Sequence, residues 1–336
     1  IGDNGYEVTT FRSDGSYSDG RRPDNVLFSD NIEEDLKRRD FTINAMAYNP
    51  RRGLIDLHNG LQHLQEGIIK CVGNANERFQ EDALRMLRCI RFASQYQFEI
   101  ERETYNALVK NRTRINGISA ERIRDEFDRI MTSAKPYGGI YLLFDTGIGN
   151  ILLNDLENDL SHYMEDLEIL NEMSDILEVR LVHMFLSIYK EKSIAVIKLN
   201  EFLSRYKYDK KTKKNAMVLL EARLAVFNIH TSYELKKIIQ KLGKTLFEHL
   251  IILYSFDKKR REHYLHIERL YKNIIENNEP ISYGDLKING EEISEAGFRG
   301  KEIGKVIDIL LDRVHYDPEE NKEEILVEII KQIKFK

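Results

Sequence analysis

The chain has 336 residues, 42% of them hydrophobic, with a net charge of −5 and two cysteines. That length exceeds what one hydrophobic core organises and implies several domains. The acidic balance argues against a protein that coats nucleic acid through bulk positive charge, the distant Cys71 and Cys89 against a disulfide framework or a structural zinc, and the lack of any apolar run near ~20 residues against a membrane span. A soluble protein in a reducing, cytoplasmic setting fits these features. The chain opens on Ile1 without a signal-peptide pattern, so it is expected to be the remainder of a longer protein.

In chain order, "YEVTTFR" reads as a strand because it is rich in β-branched and aromatic residues, and "RSDGSYSDGRRPDN" reads as a polar, Gly-containing loop. "EEDLKRR" reads as a turn of helix, and "INAMAY", "GLIDL" and "GIIKCV" as strands. After Asn74 the apolar residues recur at helical spacing, as in Leu84, Leu87, Ile90 and Ala93, then Ile118, Ile123, Phe127 and Ile130. Helical patterning continues to the end, with Pro136 separating two helices and Pro280 opening a new segment. A small α/β piece followed by a long helical body is the expected architecture, an α+β chain without a fixed-period repeat.

Three groups of residues carry candidate chemistry. Glu7, in the first strand, is a carboxylate on a sheet face, either ordinary and exposed or part of a site. In "RRDFTINA", Arg39 and Asp40 stand beside each other with Asn44 close behind, either as solvated charges at a helix end or as groups holding a ribose and phosphates. In "EDALRMLRCIRF", Asp82 and Arg85 are three apart and are expected on one face of a single helix, either as a surface ion pair or as a reader of a base edge.

The reader follows from hydrogen-bond chemistry. Adenine and cytosine present an amino donor beside a ring-nitrogen acceptor, whereas guanine and uracil present a carbonyl beside a ring N–H. An Asp accepting from the amino group and an Arg donating to the ring nitrogen select A and C without a template. Arg88 and Arg91 continue the helix as a ladder of cations, which suits a polyphosphate.

Taken together, "EVTTFRSDGSYSDGRRP", "EEDLKRRDFTINAMA", "GLIDLHNG", "ERFQEDALRMLRCIRF" and "ISAERIRDEFDRIM" resemble the bacterial and eukaryotic class of tRNA nucleotidyltransferases, the CCA-adding enzymes and their poly(A) polymerase relatives. A weaker likeness extends to "LKINGEEISEAGFRGKEIGKVIDILL". The resemblance implies a seahorse-shaped enzyme. Its partial nucleotidyltransferase (polymerase-β-like) α/β head would span 1–73, followed by a helical neck over 74–134 for nucleotide selection, a body over 135–245 and a tRNA-binding tail over 246–336. It implies addition of C, C and A to the 3′ end of tRNA from CTP and ATP with Mg2+, by a monomer or homodimer. A-only addition, poly(A) synthesis and a non-catalytic RNA-binding derivative are the alternatives.

Under the resemblance, Arg39 and Asp40 contact the nucleotide ribose, Asp82 and Arg85 read the base, and Arg88 is a phosphate ligand; Asn44 and Arg91 are counted with them as nucleotide-binding. Glu7 matches a third active-site and metal-binding carboxylate. The loop holding Asp19, Arg21 and Arg22 matches the flexible element of relatives that add the terminal A. Two stretches suit tRNA phosphates: "RYKYDKKTKKNA", where Tyr206 and Tyr208 interleave with Lys207, Lys210, Lys211, Lys213 and Lys214, and "FRGKEIGK", where Arg299 and Lys301 flank Gly300 at a helix start.

Two departures stand out. The family's metal-binding Asp-x-Asp pair is expected upstream of Ile1, so this chain alone is expected to bind nucleotide poorly and not to catalyse. "DLHNG" replaces the Pro and Phe found after the Asp in many relatives, and the turn is expected to survive on Asp56 and Gly60.

Overall fold

A computed structural model describes residues 5, 8–15, 25–153, 163–224 and 229–333. Glu7, Asp19, Arg21 and Arg22, and with them the third carboxylate and the flexible loop, lie outside these residues. The chain divides into two compact units, Ile1–Met217 and Val218–Lys336.

The first unit begins with short strands. Residues 8–11 form no strand, which corrects the reading of "YEVTTFR"; the strand is β1 (Arg12–Asp14), paired antiparallel with β2 (Val26–Phe28) so that Arg12 faces Phe28. The reason is tertiary. Helix α1 (Ile32–Lys37) anchors Arg12 from both sides, its Asp35 accepting from the Arg12 N–H at 3.4 Å while Arg38 Nε donates to the Arg12 carbonyl at 3.1 Å.

"INAMAY" is also corrected. It starts as a 3-10 turn over Thr42–Asn44 and becomes strand only in β3 (Met46–Asn49), paired with β4 (Gly53–Asp56). The Asp40 carboxylate accepts from the Phe41 N–H at 2.9 Å and from Asn44 Nδ2 at 3.3 Å, and such local bonds compete with a sheet ladder.

The turn after β4 survives as expected. Asn59, left-handed at φ 57, starts α2 (Gly60–Glu66) without a side-chain cap, and Asp56 supplies one by accepting from the N–H groups of His58, Gly60 and Leu61 at 3.2, 2.8 and 2.9 Å. Position 60 admits only glycine, since a Cβ there would lie 2.3 Å from the Thr42 carbonyl oxygen and 2.8 Å from Met46 Cγ. The expected strand "GIIKCV" shrinks to β5 (Ile68–Ile69), which pairs in parallel with β6 (Glu99–Ile100), a strand the sequence did not announce.

Helices follow: α3 (Ala75–Glu81), α4 (Leu84–Tyr96), α5 (Arg102–Asn111), α6 (Ala120–Met131), α7 (Pro136–Asp145), α8 (Ile148–Leu152), α9 (Met164–Glu168), α10 (Leu177–Ile188), α11 (Lys192–Arg205) and α12 (Lys210–Leu224). Pro136 takes the first position of α7, where its missing N–H costs nothing. Helix α4 is buried nearly all round, packed on α6 and α7, and its Leu87, Cys89, Ile90 and Phe92 form the heart of this unit with Phe41 and Phe79.

The second unit holds α13 (Ser232–Leu242), α14 (Lys244–Ser255), α15 (Arg261–Glu276), α16 (Gly290–Glu295), α17 (Lys301–Tyr316) and α18 (Glu323–Gln332). One apolar cluster joins Leu235, Ile239, Phe247, Ile267 and Ile274, and another joins Ile293, Val306, Leu310, Val314, Leu326 and Ile330. Lys236, fully buried, lies 2.6 Å from Glu279.

Burial acts to raise the Asp56 carboxyl, but the bonds from Leu61, Gly60 and His58 outweigh it and hold the group below the usual carboxylate value. The cap is therefore fully formed above the normal carboxylate range and fades as pH falls through the lowered value. Asp56→Ala is expected to lower stability by about 1–2 kcal/mol at pH 7, and the loss should shrink toward pH 3 in denaturant titrations.

Candidate nucleotide-binding site

The arginine-aspartate segment is held in place by backbone bonds. Val72 N–H donates to the Asp40 carbonyl at 3.0 Å, Thr42 N–H donates to the Lys70 carbonyl at 2.9 Å, and Phe41 bridges Cys71. These bonds pin Asp40 against the segment leading into α3, and so against α4. Asp40, 8% exposed, points its Oδ2 at Arg88, which answers with Nε at 2.7 Å and Nη2 at 2.6 Å. Arg39 is exposed; its guanidinium donates to Asp35 Oδ2 at 3.1 Å and to the Asn44 carbonyl at 3.2 Å. Arg38 takes the other Asp35 oxygen at 2.5 Å. Burial acts to raise Asp35, yet the bonds from Arg38 and Arg39 hold it below the usual carboxylate value.

Asp82 and Arg85 do not share one helix, contrary to the expectation. Asp82 closes α3 in extended backbone (φ −144, ψ 107), and α4 begins at Leu84. The Asp82 carboxylate replaces a helical bond, Oδ1 accepting from the Leu84 N–H at 3.0 Å, which ends one helix and starts the next. Its Oδ2 accepts from Arg122 Nη2 of α6 at 2.7 Å.

Arg85, 9% exposed, donates to Glu81 Oε2 at 2.5 Å, to the Arg78 carbonyl at 3.2 Å and to the Arg38 carbonyl at 3.0 Å. Among the described residues no ion pair joins Asp82 to Arg85. The simple surface-pair reading is thus set aside. The bond to Arg38 also places the base-reading candidate beside Arg39 and Asp40, so the two sequence motifs meet.

Arg91 turns inward. It is 8% exposed, lies 4.1 Å over the Phe92 ring, and has Nε 2.7 Å from Glu126 Oε2. Neither of those two atoms forms an aligned hydrogen bond, so this contact is a charge pair. Burial depresses the Arg91 guanidinium, opposed by Glu126. A cleft of about 350 Å³, lined by Ser13, Gly15, Glu34, Lys37, Arg38, Arg78 and Glu81, opens beside the partners of Arg85.

Asp35, Glu81, Arg122 and Glu126 were not singled out from sequence. Each is a counter-charge to a candidate residue, and the available signal was that a run of arginines entering a buried helix needs carboxylates. Among the described residues no group of three or more His, Cys, Asp or Glu could hold a metal ion, and Glu7, the carboxylate expected to do so, lies outside them.

The two stretches expected to meet tRNA phosphates fare differently. Tyr206 and Tyr208 are buried rather than presented for stacking: Tyr206 donates to the Leu152 carbonyl at 3.0 Å, and Tyr208 donates to the Asp128 carboxylate. Their alternation with lysines reflects one face packing on α6 and α8. Lys210, Lys211 and Lys214 are exposed, while Lys213 reaches Ser204 Oγ at 2.6 Å. In the second unit Arg299 folds back on Ser294 and the Phe298 carbonyl, and Lys301 opens α17 exposed.

Comparison with known proteins gives a consistent set of relatives. Residues 1–70 match the family described as Poly A polymerase head domain, and residues 97–160 the one described as probable RNA and SrmB-binding site of polymerase A. The CCA-adding enzyme of Leuconostoc mesenteroides is 33% identical over 305 residues, 90% of this chain and 72% of that protein. That of Ligilactobacillus salivarius is 49% identical over 142 residues, 42% of this chain and 35% of that protein. Matches such as the latter span about a third of the relative's own length. Among solved structures, the Bacillus stearothermophilus CCA-adding enzyme in complex with CTP superimposes with a TM-score of 0.71 at 26% identity, over 97% of this chain and 78% of that one. A CCA-adding enzyme complexed with ATP gives 0.59 at 25% identity, over 90% and 74%.

Two stability tests follow from the buried charges. Glu126→Gln leaves Arg91 buried without a counter-charge and should cost about 3–5 kcal/mol in equilibrium unfolding. Asp128 behaves oppositely: burial pushes its carboxyl up to about 6, against the bond from Tyr208. An acid raised on folding weakens the fold as pH climbs through that value. Asp128→Asn should therefore melt higher than the parent above pH 6, with the difference vanishing below about pH 4.

Proposed function

Because the chain belongs to the CCA-adding enzyme family, we propose that it adds C, C and A to the 3′ end of tRNA from CTP and ATP, choosing each nucleotide by protein side chains rather than a template. The observation that carries this reading is the bond from Arg85 to the Arg38 carbonyl, which sets a base-reading group against the arginine-aspartate segment.

In this reading, Asp82 accepts from the amino group of cytosine or adenine and Arg85 donates to the neighbouring ring nitrogen. Three of the five guanidinium N–H groups of Arg85 are engaged by Glu81, Arg78 and Arg38, which fixes its plane and leaves donors for a base. Arg39, with 43% of its side chain exposed, and Asp40 hold the ribose with Asn44 beside them, and Arg88 meets the phosphates. Arg91 supports them from below through Phe92. Glu7 is retained as a catalytic carboxylate, and Asp19, Arg21 and Arg22 as the loop that serves A addition.

Mg2+ is proposed as the cofactor on family membership alone. No helix among the described residues is long and apolar enough to cross a membrane, and a cytoplasmic location is the proposed setting for a tRNA-processing enzyme. The finer division into head, neck, body and tail at 73, 134 and 245 is likewise a proposal. For tRNA we propose phosphate contacts by Lys210, Lys211, Lys213 and Lys214 and by Arg299 and Lys301.

The test is incorporation by the full protein on tRNA ending at the discriminator base, with labelled CTP and ATP, each alone and together. Two C followed by one A is the expected outcome. Addition of A only to tRNA already ending in CC would indicate an A-adding enzyme, and intact tRNA binding without incorporation a non-catalytic derivative. Asp82→Ala and Arg85→Ala should each lower the preference for CTP over UTP at least about tenfold. Arg85→Ala should also lower the melting temperature, because the Arg38 and Arg78 carbonyls lose their donor.

A further inference from the structure

We infer that Arg122 is a positioning residue that sets nucleotide choice by keeping Asp82 aimed at the base and away from Arg85. The inference rests on the base-edge reading above and adds a residue to it.

Asp82 and Arg85 are three residues apart and of opposite charge, close enough in the chain to attract each other although no single helix carries both. If they paired, each would satisfy the other and neither would read a base. They do not pair, because each is held by a third party. Glu81 takes Arg85 at 2.5 Å, and Arg122 takes Asp82 at 2.7 Å. Glu81 is a neighbour in sequence. Arg122 comes from another helix forty residues on, so its position is a property of the fold.

The backbone cannot do this work alone. Asp82 lies where α3 has ended and α4 has not begun, so its carboxylate is oriented only by its own bonds. The Leu84 N–H fixes Oδ1, and without Arg122 Oδ2 would be free to swing toward the nearest cation. With both bonds made, about two of the roughly four acceptor positions of a carboxylate remain, and their directions are defined. One of them can accept the amino group of C or A. A carbonyl in its place, as in U or G, meets only acceptors.

Arg122 is itself well supported. Glu126, one helical turn further along α6 and 5% exposed, lies 2.7 Å from Arg91, and Arg91 belongs to α4, the helix that carries Arg85. On the far side of α6, Arg124 donates to the Lys207 carbonyl at 2.8 Å and Tyr208 donates to Asp128. Helix α6 is thus fastened on two faces, and the Arg122 head group is presented from a fixed frame.

The test compares the full protein with its Arg122→Met, Arg122→Lys and Asp82→Ala variants, measuring kcat/KM for CTP, UTP, ATP and GTP on tRNA lacking its CCA end. Arg122→Met is expected to lower the CTP-over-UTP and ATP-over-GTP ratios by about tenfold or more, and Arg122→Lys, which keeps one charged donor, to restore most of the loss. A helix made merely unstable would slow all four nucleotides together, and that result overturns the inference, as does a Met variant with undiminished ratios. If Asp82→Ala also keeps the ratios, the base-edge reading falls and Arg122's role falls with it. If Asp82→Ala loses them and Arg122→Met does not, only the role of Arg122 fails. Should Arg122→Met not fold, Arg122→Gln, a donor without charge, replaces it and is read by the same ratios.

Discussion

The first unit is organised by the need to neutralise cations on a buried helix. Helix α4 lies in the core yet carries Arg85, Arg88 and Arg91, two of them less than a tenth exposed. An unpaired guanidinium in such a place is prohibitively unfavourable. Each therefore draws a carboxylate from a different element: Glu81 from α3, Asp40 from the segment after α1, and Glu126 from α6. Meeting that requirement brings three stretches of chain onto one helix, and the candidate site is the place where they converge.

This has a consequence for binding. The groups assigned to a nucleotide are not idle in its absence; Asp40, Asp82, Arg39 and Arg85 all hold internal partners. Such a site is oriented beforehand, which lowers the entropy cost of ordering it around a ligand. Under the proposed base-edge reading, discrimination would depend on which acceptors and donors remain unoccupied, and so on the residues that hold Asp82 and Arg85, Arg122 and Glu81.

The same accounting changes the view of the lysine-rich stretch. Tyr206 and Tyr208 anchor the turn before α12 in the core, with Lys207 left-handed at φ 53 between them. The neighbouring lysines keep their charges at the surface, which suits a phosphate backbone without aromatic stacking.

Some of this was decided by sequence alone. Helical spacing after Asn74, the cap that Asp56 makes with the start of α2, the break at Pro136 and the order of the motifs all rest on local chemistry, where the interacting groups are a few residues apart. What sequence could not decide is which carboxylate each arginine would find. Arg88 pairs with Asp40 across 48 residues, Arg122 with Asp82 across 40, and Arg85 reaches the Arg38 carbonyl across 47. It also could not place β1, which α1 fixes through Asp35 and Arg38, or tell that two tyrosines amid lysines point inward. Local propensity reports what a segment can form by itself. The pairing of buried charges is settled only when the chain has closed around α4, because the penalty for leaving one unpaired exists only inside the folded protein.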